Sequence, residues 1–256
     1  MSLAHRLYTS TGMVSYAQNI QDSILIPQTG EALALGGYTL ANRSGSAADV
    51  GVYWRQPNAL WKAGIIDASA TPDYTDDTAS AQSTTANAFV NVFTTTDADG
   101  FLVASKTKFH AIGFKVDDVG AAATLAYTYY NGTSMATLPT IETPNIAASG
   151  WQYLTFTPPQ DWVVNTTTAV TGPSNHFAIQ ITGATAPNSV TSISDVRLFT
   201  MIDFYPQLAS NAEITSSFNG NELQLPVGAS VVPYFGGTAS NANAIWCDYR
   251  SMSRQV

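Results

Sequence analysis

The amino-acid sequence predicts an all-β protein. Apolar and polar residues alternate in short runs, the spacing that turns one face of a strand toward a core. Gly, Pro, Asn and Asp break those runs at close intervals, and these residues favour turns. No long segment carries apolar residues at the i, i+3, i+4, i+7 spacing of an amphipathic helix.

Residues 1–56 read as an N-terminal arm or a small β meander. Strands are predicted over 20–26, 37–43 and 49–55, with turns at Pro27-Gln28-Thr29-Gly30 and Asn42-Arg43-Ser44-Gly45-Ser46. Residues 57–86 read as a loop or linker. Pro72-Asp73-Tyr74-Thr75-Asp76-Asp77 and Ser83-Thr84-Thr85 are polar, and loops of such length make contacts or carry function.

Residues 87–202 hold the clearest strand pattern and predict a β-sandwich. Val90 and Val92 alternate with Phe89, Asn91 and Phe93. Ile112, Phe114 and Val116 share a face, as do Leu125, Tyr127 and Tyr129. Further strands follow over 150–157, 177–181 and 196–202. Asp97-Ala98-Asp99-Gly100, Asp117-Asp118-Val119-Gly120 and Asn188-Ser189 mark turns between them. Residues 203–256 read as a C-terminal β extension packing on the sandwich. Pro206, Asn219-Gly220-Asn221 and Gly236-Gly237 bracket its strands, and Ile245, Cys247 and Tyr249 share one face of the last.

The stretch from Tyr129 to Ile181 carries a resemblance. Asn131-Gly132 follows paired tyrosines, and Asn-Gly favours tight turns because both residues tolerate positive φ. An alternating strand then runs into Pro158-Pro159, which cannot donate to a sheet ladder. Trp162 stands at the corner beyond, and Gln180-Ile181 closes the next strand. This series resembles the jelly-roll modules of bacteriophage virion proteins. It departs from them at Met135, where a second aromatic is usual, and at Gln180, where Arg is common. The resemblance covers roughly the middle third of the chain. It implies a jelly-roll fold and a place in a virion.

The chain of 256 residues can bury a core without disulfide or metal. Charged residues make up 11%, against about 25% in ordinary domains, so the polar surface is mostly Ser, Thr, Asn and Gln. Such a surface suits packing against neighbours, since few charges are desolvated at each contact. Lys and Arg number 10 against 18 Asp and Glu, with no basic run, so nucleic acid is not the expected partner. The N-terminus lacks the apolar core of a secretory signal, and no apolar run reaches membrane-spanning length. A soluble protein made in a host cytoplasm is the expectation.

Chemical constellations are weak. The lone Cys247 could pair with His5, His110 or His176, but its place on the apolar face of a strand predicts a buried structural thiol. Glu31, Glu142, Glu213 and Glu222 form no recognisable pair for glycoside hydrolysis, and Glu142 reads as loop. Asp97-Ala98-Asp99-Gly100 opens like a calcium loop, yet Lys108 stands where that loop needs its bidentate Glu. Asp73, Asp76 and Asp77 could hold a surface Ca²⁺, with turn capping the favoured role. Tyr129, Tyr130, Trp151, Tyr153 and Trp162 could form a sugar-stacking platform, against the simpler reading that they fill the core. Sequons stand at Asn42, Asn131 and Asn165, and have no meaning for a chain that stays outside a secretory pathway.

The expectation is therefore a non-enzymatic protein without cofactor or metal. The resemblance implies a capsid decoration (cement) protein on the capsid exterior, bridging major capsid proteins and oligomerising, with a trimer fitting local three-fold positions. A tail, neck or fibre component binding a host glycan or another tail protein is the alternative. Tyr53, Trp54, Trp61, Tyr234, Phe235 and Trp246 are the candidate interface aromatics, because Trp and Tyr dominate interface energies. On that reading Trp61→Ala weakens particle binding and leaves the melting temperature of the free protein nearly unchanged.

Overall fold

In the computed structural model the alternating runs become antiparallel strands. It describes residues 9–10, 14–16, 31–68, 73–95, 98–119, 124–165, 172–185, 191–218, 222–236 and 243–252. In chain order these contain β1 (Thr9–Ser10), β2 (Val14–Tyr16), β3 (Ala32–Ala41), β4 (Ala48–Arg55), β5 (Trp61–Ile66) and β6 (Tyr74–Asp76). A short helix α1 (Thr78–Gln82) precedes β7 (Phe89–Phe93), β8 (Gly100–Ser105), β9 (Ala111–Asp118) and β10 (Leu125–Tyr130). Then come β11 (Met135–Thr137), β12 (Thr140–Glu142), β13 (Gly150–Phe156), β14 (Phe177–Gly183) and β15 (Thr191–Leu208). The chain continues with β16 (Glu213–Ser217), β17 (Leu223–Leu225), β18 (Ser230–Gly236) and β19 (Asn243–Met252). Among the described residues no helix is long and apolar enough to cross a membrane.

The chain divides into two compact units. The central unit is Asn58–Phe199, and the terminal unit joins Met1–Pro57 to Thr200–Val256. Residues 57–86 are thus not a linker. They supply β5, β6 and α1, and β5 pairs with β8 inside a sheet. The pattern Trp61-Lys62-Ala63 already alternates, with Trp61 and Ala63 buried and Lys62 exposed. Residues 1–56 and 203–256 likewise do not form a separate arm and extension. β3 lies between β19 on one side and β16 and β17 on the other, so both chain ends build one sheet. The strand expected over 20–26, its turn at 27–30, and the turns at Asn188-Ser189 and Asn219–Asn221 lie outside the described residues.

The central unit is sandwich-like. One sheet has the order β11-β10-β14-β8-β5-β6. The other contains β12-β13-β9-β15, with β7 also on β15. Apolar faces of both sheets meet in one core: Ile112, Phe114 and Val116 of β9 pack in the same cluster as Phe101 and Val103 of β8 and Ile179 and Ile181 of β14. Phe101 is its hub. Its ring meets Phe114, Phe93 and Phe89 edge-on at centroid distances of 5.5, 5.9 and 6.0 Å, separations at which ring quadrupoles attract.

Two strands depart from simple alternation. Every residue of β8 is buried, because Leu102 and Ala104 on its second face pack with Ile66 and Ala178. A strand buried on both sides reads as a continuous apolar run. In β7, Phe89 and Val92 are both fully buried while Val90 and Asn91 face solvent. Asn91 has φ +57° and the pairing with β15 shifts register there, a bulge that carries Val92 inward.

The terminal unit packs β3, β17 and β19 against the antiparallel pair β4 and β18. Leu33, Leu35 and Leu40 of β3 meet Val50 and Val52 of β4, Val231 of β18, and Ile245 and Cys247 of β19. Tyr249 packs on the same cluster, so the face expected of the last strand is the one observed. Tyr38 and Tyr205 both donate to Asp203 Oδ2, at 2.5 and 2.7 Å, placing a polar network beside this core.

Candidate functional site

The face of β13, β9 and β15 turned away from the central core carries the most organised polar and aromatic group. Leu154 and Phe156 point into the core, which turns Trp151, Tyr153 and Thr155 to the other face. Trp151 stands opposite Lys115, and Tyr153 opposite Gly113. Gly113 in turn pairs with Arg197. A Cβ at Gly113 would lie 2.9 Å from the Tyr153 ring and 3.0 Å from the Phe199 ring, so glycine is what lets both rings close over this strand.

Trp151 and Tyr153 stack at 6.0 Å with an interplanar angle of 14°. The Arg197 guanidinium lies over the Trp151 ring, 4.3 Å from its centroid. Asp195 holds that guanidinium with two hydrogen bonds, Nε to Oδ1 at 2.9 Å and Nη2 to Oδ2 at 2.6 Å. The carboxylate is on the same side because Asp195 adopts φ +50° where the pairing of β15 with β9 shifts register. Both side chains are mostly buried, at 16% and 11% exposure, so the pair is only partly screened by water. The result is a charge-neutral group of hydrogen-bonded and stacked side chains with Lys115 exposed beside it.

The acidic residues near α1 have local partners. Asp76 Oδ1 accepts from the Thr78 backbone and hydroxyl at 3.1 and 2.7 Å, and its Oδ2 accepts from Lys62 at 3.2 Å. Partial burial works against the charged carboxylate, but the Thr78 and Lys62 hydrogen bonds outweigh it and hold the Asp76 pKa below the usual range. The Asp77 carbonyl accepts from Ala81 N–H at 3.1 Å in the turn of α1. Asp67, Asp76, Asp77 and Asp99 line an open cleft of about 570 Å³ with Ile65, Ile66 and Val90. Among the described residues no group of His, Cys, Asp or Glu is arranged to hold a metal ion. Asp99 accepts from Ala68 N–H at 3.0 Å and from the Thr94 hydroxyl, while Asp97 lies outside the described residues.

Cys247 is fully buried in the terminal core. Burial, and after it the Asp248 carboxylate, push its thiol up to about 12, so it is protonated and unreactive near neutrality. A disulfide reagent at pH 8 is expected to label it only as fast as the protein opens. Rapid stoichiometric labelling of the native chain would contradict that burial.

Glu142 belongs to β12 rather than to a loop, opposite Thr155 across a bulge. Burial raises its pKa, and Oε2 has no hydrogen-bond partner among the described residues. His110 lies in the central unit, where burial lowers its pKa to about 4. The unfolded chain binds that proton near pH 6.5, so the unfolded state takes up more protons between pH 6.5 and 4. Stability therefore falls as pH drops through this window, by about 2 kcal/mol once partial solvent screening is allowed for. Urea midpoints of wild type and His110→Gln at pH 7 and 4.5 check this: the wild type should lose more. An equal loss in both would assign the acid sensitivity to other groups.

The expected sugar platform is largely interior. Tyr129, Tyr130, Tyr153 and Trp162 are 7%, 3%, 7% and 1% exposed, leaving no open ring faces on which a sugar could stack. Trp151 alone is half-buried, and Arg197 covers one face of its ring. Of the sequons, Asn42 and Asn165 are buried and lie at 0% and 1% exposure.

The candidate interface aromatics are also mostly core. Tyr53 and Tyr234 are 3% and 4% exposed and meet edge-on at 5.8 Å in the terminal unit. Trp61 is 2% exposed within the central core, so Trp61→Ala should lower the stability of the free protein, contrary to the sequence expectation. Large aromatic rings fill cores before they decorate surfaces. Trp54 is half-buried against the terminal core. Phe235 and Trp246 belong to β18 and β19, and their side chains lie outside the described residues. Arg197 and Asp195 escaped sequence reading because their meaning depends on a register shift.

No protein-family model, curated protein or solved structure matches the chain.

Proposed function

We propose that this protein is a bacteriophage capsid decoration protein built on a jelly roll, acting by association rather than catalysis. Copies would oligomerise on the capsid exterior and bridge major capsid proteins, with a trimer at local three-fold positions. Each contact adds resistance to internal pressure, and symmetric repetition multiplies weak contacts into a strong lattice.

The observation that carries this reading is the segment from Tyr129 to Ile181. Within it Trp162 packs as a buried corner residue, its ring centroid 5.1 Å from that of Phe109, 5.5 Å from Phe177 and 6.0 Å from Phe156. The charge-poor composition supports it as well, since a surface rich in Ser, Thr and Asn desolvates cheaply at many contacts. Trp151 and Arg197 offer a preorganised patch, and Trp and Arg are the residue types enriched at interface centres.

Quantitative mass spectrometry of purified virions tests the reading. Copies in a fixed ratio near that of the major capsid protein are expected. A few copies per particle would move the assignment to the tail or neck, and absence from virions would overturn it.

A further inference from the structure

A second cleft in the central unit, of about 410 Å³, is lined chiefly by polar side chains. Trp61, Lys62, Gln82, Lys106 and His176 form its walls, with Asp76 as the acidic member. Lys62 is already paired with Asp76. Lys106 is exposed and adds a positive charge in a chain whose formal net charge is −8.

The Trp61 side chain supplies a separate observation. It is 2% exposed, and its indole N–H is buried without an acceptor among the described residues. Buried donors are nearly always satisfied, so an orphan at the wall of a cleft asks for an acceptor from outside. The other polar walls are held in place. Gln82 Nε2 donates to the Asn58 carbonyl at 2.8 Å, which fixes the amide and leaves its oxygen as an acceptor. His176 Nδ1 lies 2.6 Å from the Ser174 carbonyl, so that nitrogen carries the hydrogen and Nε2 is the free position.

We propose that this cleft binds the oxyanion group of a small ligand, a carboxylate or phosphate, with Lys106 as its counter-charge and the Trp61 N–H as a donor. The acceptor positions on Gln82 and His176 suit hydroxyl groups beside the anion, as on an acidic sugar. The same anion chemistry could come from free inorganic phosphate. The proposal is independent of the virion assignment, since it rests on the cleft alone.

Isothermal titration of the full chain with sodium glucuronate, inorganic phosphate and neutral glucose tests it, with Lys106→Gln and Lys115→Gln as variants. Lys106 is exposed, so its replacement should leave the melting temperature unchanged, and Lys115 lies on another face as a control for general charge. Saturable glucuronate binding, weakened at least tenfold in Lys106→Gln and unchanged in Lys115→Gln, is the expected result. Tighter binding of glucuronate than of phosphate identifies an acidic glycan as the source, and the reverse identifies the free ion. Saturable binding of neither anion, or affinity equal in Lys106→Gln and wild type, overturns the proposal.

Discussion

Replacing Trp162 with alanine is expected to lower the unfolding free energy by about 3–5 kcal/mol. The ring is 1% exposed and meets Phe109, Phe156 and Phe177 edge-on, so its loss opens a cavity bounded by three rings that pack against it. The indole N–H donates to the Ala178 carbonyl at 3.2 Å, and truncation removes that buried hydrogen bond as well. Trp162→Phe should recover part of the packing but not the hydrogen bond, and so fall between. Chemical denaturation of the three proteins gives the comparison. A loss under about 1 kcal/mol for the alanine variant would mean that the corner is not a packed element of the central unit.

Asn42→Ala should cost about 3 kcal/mol in the terminal unit. Asn42 is fully buried, and its amide ties the turn that follows β3 to the end of β15. Nδ2 donates to the Leu208 and Ser46 carbonyls at 2.7 and 3.0 Å, with a longer contact to Ala209 at 3.2 Å. Oδ1 accepts from the Ser44 backbone and hydroxyl at 3.0 and 2.6 Å. Alanine strands these groups in the interior. Asn42→Asp should be comparably costly, because it keeps the acceptors, loses the donors and buries a charge. Equal stability of Asn42→Asp and wild type at neutral pH would show that the site is wetter than its burial indicates. The same burial means that a glycan could be attached at Asn42 only in an unfolded chain.

Much of the strand pattern was legible residue by residue. Ile112, Phe114 and Val116, then Phe177, Ile179 and Ile181, then Ile245, Cys247 and Tyr249, each lie on the one face that period-2 alternation assigns. Alternation fails where its physical basis fails. β8 is buried on both faces and shows none, and Asn91 bends β7 through a bulge that resets the count. The division into units was hidden for a different reason. β3 and β19 lie near opposite ends of the chain and pair through backbone groups that every sequence carries. Sites assembled across strands are hidden in the same way. Trp151 stood out as an aromatic, but its partners Arg197 and Asp195 come from a distant strand and a register shift. Lys106, His176 and Trp61 line one cleft from three separated segments, with no local motif to mark them. Burial, too, is a tertiary property: Trp61 and Tyr234 look alike in sequence to surface anchors until the sheets that cover them are in place.

The measurement that bears most directly on the proposed role is cryo-EM of intact virions purified from cells that make this protein. The decoration reading predicts density for the two β units on the outer surface of the shell, repeated over the lattice and contacting more than one major capsid protein. Density confined to the tail or neck, or a fully occupied shell without it, would contradict that role.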